Sequence, residues 1–157
     1  MIAIGSDHIG YTYKEEIKKY FKDKNIRYKD FGCFSNERID YPKIGIKVAK
    51  SVVRNDCEMG ILICGTGVGM GICANKVNGI RAVICSEPYS AKLSRSHNDS
   101  NVLSIGARVV GIELAKMIID TWLNTPFEGG RHKKRLDLIK KIEEEQISSF
   151  KKTGGKN

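Results

Sequence analysis

Across 157 residues the sequence has one tryptophan, three prolines and three histidines, and its five cysteines include no C-x-x-C pair. An odd cysteine count without close spacing excludes a disulfide framework and a structural zinc site. Most of Cys33, Cys57, Cys64, Cys73 and Cys85 therefore read as small core hydrophobes. No apolar run approaches the ~18 residues of a membrane span, so no membrane association is expected. Met1 to Gly5 runs into polar residues without the basic start or cleavage site of a signal peptide. A cytoplasmic location is expected. Repeats and low-complexity linkers are missing as well, which leaves a single domain over residues 1–150, ending in a C-terminal helix, and a frayed tail over 151–157.

What is present suits a soluble globular chain: 41% hydrophobic and 29% charged residues, in a length that buries roughly two thirds of the unfolded surface. The net charge of +9 is uneven. Residues 1–130 carry 18 basic and 14 acidic groups, whereas residues 131–157 carry 9 and 4. Such a basic tail attracts nucleic acid, attracts a phosphorylated metabolite, or is merely solvated. It lacks the interleaved aromatics that stack on bases, so no nucleic-acid partner is expected.

Apolar β-prone runs alternate with helical patterns, the signature of βαβ units. Strands are expected over 1–5, 26–31, 59–64, 81–85 and 102–105. Helices are expected over 14–24, from Pro42 to Val53, through Lys76, over 88–95, over 112–123, and from His132 to about Ser149. In the last of these, Leu136, Ile139, Ile142 and Ile147 align along one side. The fold class that follows is α/β: a three-layer α/β/α sandwich around a five-stranded, parallel, Rossmann-like sheet.

Ligands of such sheets bind where loops leave the carboxyl ends of the strands. Ser6-Asp7-His8, Cys64 to Gly71, Ser86-Glu87-Pro88 and Gly106-Ala107-Arg108 all fall there. The second has glycine at every other position from Gly65, which suggests a turn whose backbone must approach a ligand closely. It is not a dinucleotide fingerprint, because Met70 stands where glycine is needed, and no G-K-[ST] closes it as a phosphate loop. What remains is a row of N–H groups fit for an anion or a developing oxyanion, with a purely structural turn as the alternative. Cys64 stands at its mouth, in a setting that activates thiols but also suits plain packing. Filler, redox group and base stay open for it.

Eight segments in order resemble one family, the type B ribose-5-phosphate isomerases, within a broader group that includes allose- and galactose-phosphate isomerases. They are Gly5-Ser-Asp-His-Ile-Gly10, Glu37-Arg-Ile-Asp-Tyr-Pro42, Ile61 to Lys76, Gly79-Ile-Arg-Ala-Val83, Cys85-Ser-Glu-Pro-Tyr-Ser90, Ser96-His-Asn-Asp99, Gly106-Ala-Arg-Val-Val-Gly111 and Phe127-Glu-Gly-Gly-Arg-His132. The resemblance implies an intramolecular oxidoreductase that turns an aldose phosphate into a ketose phosphate through an enediolate, without metal or other cofactor. It gives Cys64 the role of the base. A second branch uses a glutamate at the position of Met70, so this chain resembles the cysteine branch. Thr66 matches the hydroxyl that handles substrate oxygens, and the N–H groups of Gly65, Thr66, Gly67, Val68 and Gly69 match the anion hole. His8, Arg108, Arg131 and Arg135 match phosphate ligands, Asp7 and Asn98 match hydroxyl ligands, and His97 matches the residue that opens the furanose ring. Tyr41 is expected to line the pocket.

His97 and Asn98 precede the fifth strand, whereas Cys64 ends the third. Topology therefore puts them at opposite edges of the sheet. The expectation is a homodimer with two shared sites, tetramers remaining open. Two other readings stay beside ribose 5-phosphate isomerisation in the pentose phosphate pathway: an allose- or galactose-6-phosphate isomerase, and a sugar-phosphate or nucleic-acid binding module without turnover.

Overall fold

The computed structural model describes residues 1–153, with side chains through Ser148. Five strands form one sheet: β1 (Ile2–Ser6), β2 (Tyr28–Asp30), β3 (Met59–Cys64), β4 (Ala82–Ile84) and β5 (Val102–Gly106). All pairs are parallel, in the order β2-β1-β3-β5-β4. The inner strands β1, β3 and β5 are buried along nearly their whole length, which is why they read as unbroken apolar runs rather than alternating ones.

Two layers of helix cover the faces. On one, α1 (Tyr11–Asp23), α4 (Pro88–Ser96) and α5 (Ile112–Asn124) bury Ile17, Phe21, Ala91, Ile118 and Trp122 against Ile4, Ile61 and Ile105. On the other, α2 (Tyr41–Val53) and α3 (Val68–Ala74) bury Ile44, Val48, Met70 and Ala74 against Ala3 and Leu62. The three-layer α/β/α arrangement is the one expected.

The boundaries move for local reasons. Helix α1 starts at Tyr11 rather than Lys14, and just ahead of it Asp7 Oδ1 accepts the Gly10 N–H at 2.9 Å. Lys14 is wholly buried, and its Nζ donates to both Asp30 oxygens at 2.7 and 2.6 Å and to the Cys33 carbonyl at 2.8 Å. The last helix, α6 (Arg131–Thr153), extends past the point where fraying was expected, and residues 154–157 lie outside the described residues. Its apolar stripe is not a buried face. Leu136 is half-buried, but Leu138, Ile139, Ile142 and Ile147 are 59%, 44%, 55% and 39% exposed. Helix α6 touches the turn ahead of β4, where Glu143 accepts the Gly79 N–H at 3.3 Å.

Candidate active site

From β1 the chain crosses outward to β2, and from β3 it crosses the other way, so the switch point of the sheet lies between the carboxyl ends of β1 and β3. Asp7 and Cys64 leave those two ends side by side, and the Asp7 N–H donates to the Ile63 carbonyl at 3.1 Å. The glycine loop is stitched to the end of β5. Ala107 N–H donates to Cys64 O at 2.8 Å, Arg108 N–H to Gly65 O at 3.0 Å, and buried Ser104 Oγ to Gly67 O at 2.6 Å. Gly67 has φ +78°, and a Cβ there would lie 3.0 Å from the Ile105 carbonyl carbon. Only glycine fits both demands.

The alternating glycines therefore have an explanation that the sequence did not reveal. Gly67, Gly69 and Gly71 face protein atoms: β5 backbone, the Tyr41 ring and the Ile84 side chain, respectively, each within 3.0 Å of a hypothetical Cβ. Gly65 meets nothing closer than Ile9 at 3.7 Å and Arg108 at 3.8 Å. It is the glycine of the four that packs closely against nothing.

Cys64 is only 5% exposed, and its Sγ accepts the Gly67 N–H at 3.1 Å. Thr66 is exposed and its Oγ1 accepts the Val68 N–H at 3.3 Å. Tyr41 packs over Gly69. Asp7 is buried and His8 half-buried; His8 Nδ1 accepts the Ile39 N–H at 3.4 Å, which leaves Nε2 to carry the proton of the neutral ring. Arg108 is exposed beside Gly65. These residues form one cluster at the carboxyl edge.

The rest of the expected set is elsewhere. His97 caps the end of α4, and Asn98 follows it. Both precede β5, whose first residue pairs with Gly60 whereas its last pairs with Cys64. Four residues of strand, roughly 13 Å, separate the two levels. Arg131 and Arg135 also lie at this amino edge, because the chain between α5 and α6 is tied there by the Glu128 N–H donating to Ser96 O at 3.0 Å. His132 stacks on His97 with ring centroids 4.1 Å apart. One chain thus brings together Asp7, His8, Tyr41, Cys64, Thr66, the loop amides and Arg108, and sets His97, Asn98, Arg131 and Arg135 apart.

Comparison with known proteins agrees with this architecture. The sequence profile of the Ribose/Galactose Isomerase family matches residues 2–139. The chain belongs to that family. It is 54% identical over 143 residues to ribose-5-phosphate isomerase B of Escherichia coli K12, covering 91% of this chain and 96% of that protein. Ribose-5-P isomerase B of Listeria innocua is 48% identical over 143 residues, 91% and 97% of the two chains. The solved structure of Clostridium thermocellum ribose-5-phosphate isomerase B superposes with a TM-score of 0.91 at 51% identity, covering 92% of this chain and 98% of that one.

Sequence reasoning about this ribose/galactose isomerase fold missed the residues that hold the site in place. Lys14, Lys18 and Asp30 form an ion cluster behind the loop that reaches His8. Burial alone would raise the Asp30 carboxyl, but hydrogen bonds from Lys14, Lys18 and the Gly32 N–H outweigh it and hold it below the usual range. Burial would lower Lys18, yet its contacts with Asp30 and Glu15 push it above the usual lysine value. At the other edge, Arg81 and Arg95 grip Asp99, which sits at φ +44° in the turn after His97. His132 titrates below the usual range, through burial first and then the nearby His97 and Arg131, against an opposing pull from Glu128.

His97, Glu128 and His132 place their ligand atoms within 4.8 Å of one another, a spacing that invites a metal. The stack argues otherwise. A metal lies in the plane of an imidazole that binds it, and two planes only 5° from parallel at 4.1 Å share no such point. As arranged, the rings do not converge on one ion.

Proposed function

We propose that the protein interconverts D-ribose 5-phosphate and D-ribulose 5-phosphate through an enediolate, as a cytoplasmic homodimer with two shared sites. The observation that carries the reading is Cys64 Sγ at the switch point, beside the Gly67 N–H and the open backbone of Gly65. In the open-chain aldose, Cys64 removes the proton from C2 and returns it to C1. The Thr66 hydroxyl and the loop amides receive the charge that appears on the oxygens meanwhile. His8 and Arg108 supply the near half of a phosphate clamp, for which guanidinium forks suit a dianion. No metal or other cofactor enters the scheme.

Two features support the dimer. Arg131, Arg135, His97 and Asn98 lie across the sheet from Cys64, so a second chain is needed to bring them to the same sugar. The uncovered apolar stripe of α6 offers surface for such an association. Five free thiols suit a reducing compartment.

The test mixes two inactive proteins after showing that the native one converts ribose 5-phosphate to ribulose 5-phosphate. Cys64→Ala and His97→Ala chains, unfolded together and refolded, give half heterodimers with one intact site each, hence about a quarter of native activity. No conversion by well-folded native protein defeats the isomerase reading. Activity no higher than that of the separate variants, with heterodimers present, defeats the sharing.

A further inference from the structure

At the amino edge one carboxylate oxygen faces two histidines. Glu128 Oε2 lies 3.9 Å from His97 Nε2 and 3.7 Å from His132 Nε2. The backbone keeps this group together: Glu128 N–H is bound to Ser96 O, directly before His97, and His132 N–H donates to Gly129 O at 3.0 Å.

The two rings are not equivalent. His132 is 5% exposed, and its Nε2 accepts the Arg131 Nε–H at 3.4 Å, so that lone pair is occupied. Burial and Arg131 both disfavour a charge on it. His97 keeps 32% of its side chain open. A proton taken from the sugar would land on His97, the ring of the two that a sugar can reach. It would arrive among cations, since Arg131 and Arg135 stand nearby, and Glu128 is the anion within ion-pair reach of both rings.

We propose that Glu128 and His132 are positioning residues for furanose ring opening: the flat face of His132 fixes the plane of His97, and Glu128 stabilises the His97 imidazolium. The inference rests on the isomerase reading above. In the step concerned, His97 takes the proton of the anomeric hydroxyl. The electrons of that O–H bond form the carbonyl, the bond from C1 to the ring oxygen breaks, and the proton passes from His97 to that oxygen. Nothing is gained or lost overall. The imidazolium exists only between the two transfers, so an anion beside it acts on the transition rather than on the bound sugar.

Ring opening is measured apart from isomerisation in the Cys64→Ala protein, where the base is gone. Exchange NMR of ribose 5-phosphate then follows the interconversion of its α and β anomers, which passes through the open chain. The Cys64→Ala protein should accelerate that exchange over buffer. Adding Glu128→Gln should reduce the acceleration about tenfold, whereas Glu128→Asp, which keeps the charge, should retain most of it. Affinity for ribose 5-phosphate should stay within about twofold in all three, because the carboxylate acts after binding. His132→Phe, which preserves a flat face, should keep more of the exchange than His132→Ala. An unchanged exchange rate in the Glu128→Gln double variant overturns the proposal, as does a Cys64→Ala protein that binds the sugar without accelerating its anomers. Failure of native protein to isomerise the sugar at all would instead strike the reading beneath it.

Discussion

The two edges of the sheet are built from different materials. At the carboxyl edge the parts are held mostly by backbone: the loop at Cys64 is tied to β5 through the Ala107 and Arg108 amides, with the Ser104 hydroxyl added, and to β1 through the Asp7 amide. At the amino edge backbone bonds from Glu128 and His132 are joined by the grip of long side chains: Arg81 and Arg95 on Asp99, Arg131 on His132, and Glu128 facing two imidazoles. Backbone amides cannot rotate away, which suits groups that must meet a transient charge within a few tenths of an ångström. Long side chains adapt, which suits the ring opening and phosphate binding proposed for that edge. The difference predicts sharper losses at the first edge than at the second.

The largest loss should come from Cys64→Ser. Sulfur and oxygen differ little in bulk at a site that is 5% exposed, so the fold should persist, while a hydroxyl is too weak a base to take a carbon-bound proton. Turnover should drop about 10³-fold with an unchanged circular dichroism spectrum. A variant within tenfold of native turnover would move the chemistry away from the carboxyl edge.

Next comes Asp30→Asn, which breaks the scaffold behind that edge rather than its chemistry. Lys14 would remain wholly buried with its close partner gone and the partly exposed Glu15 carboxylate at 3.4 Å in its place, and removing one member of a buried pair costs about 3–5 kcal/mol. Urea unfolding measures this directly. The sign of the pH effect follows from the lowered Asp30 value. Its stabilisation is fully present above the unfolded carboxylate pKa of about 4 and is lost as pH falls through the lower folded value. Native protein should therefore weaken below about pH 4, and the Asp30→Asn protein should have lost that share of the dependence. Equal slopes in the two proteins would show that the cluster contributes nothing.

These examples mark where the sequence was legible. Parallel strands read clearly because burial on both faces leaves unbroken apolar runs such as Gly60 to Cys64, and the turns after them gathered the polar residues of the carboxyl edge. Lys14 did not. A lysine in a helix full of charged neighbours reads as solvent-facing, and only the third dimension brings Asp30 beneath it. The glycine loop was legible only in part, since three of its glycines also pack closely against β5, Tyr41 and Ile84, contacts that come from distant parts of the chain. Arg131 and Arg135 are grouped with His8 and Arg108 only by what the resemblance implies, and a match of motifs says nothing about which edge of the sheet a residue occupies. The stripe of α6 kept its helical period, but periodicity cannot say whether the covering surface belongs to the same chain.

The smallest effect should come from Asp99→Asn at the amino edge. Two arginines hold that carboxylate, Arg81 at 2.9 Å and Arg95 at 2.8 Å, yet the Asp99 side chain is 36% exposed and both arginines have carbonyl partners to fall back on. Asparagine also tolerates the positive φ that the turn requires. The cost in stability should thus be about 1 kcal/mol, as for a pair partly open to water. If the turn exists to present His97, the substitution should slow ring opening more than it lowers the unfolding midpoint. Anomer exchange in a Cys64→Ala, Asp99→Asn protein would then fall several-fold, while binding of the same sugar stays close to that of Cys64→Ala alone. A stability loss of 3 kcal/mol or more would mean that the amino edge is as rigidly built as the other, and the contrast between the two edges would be gone.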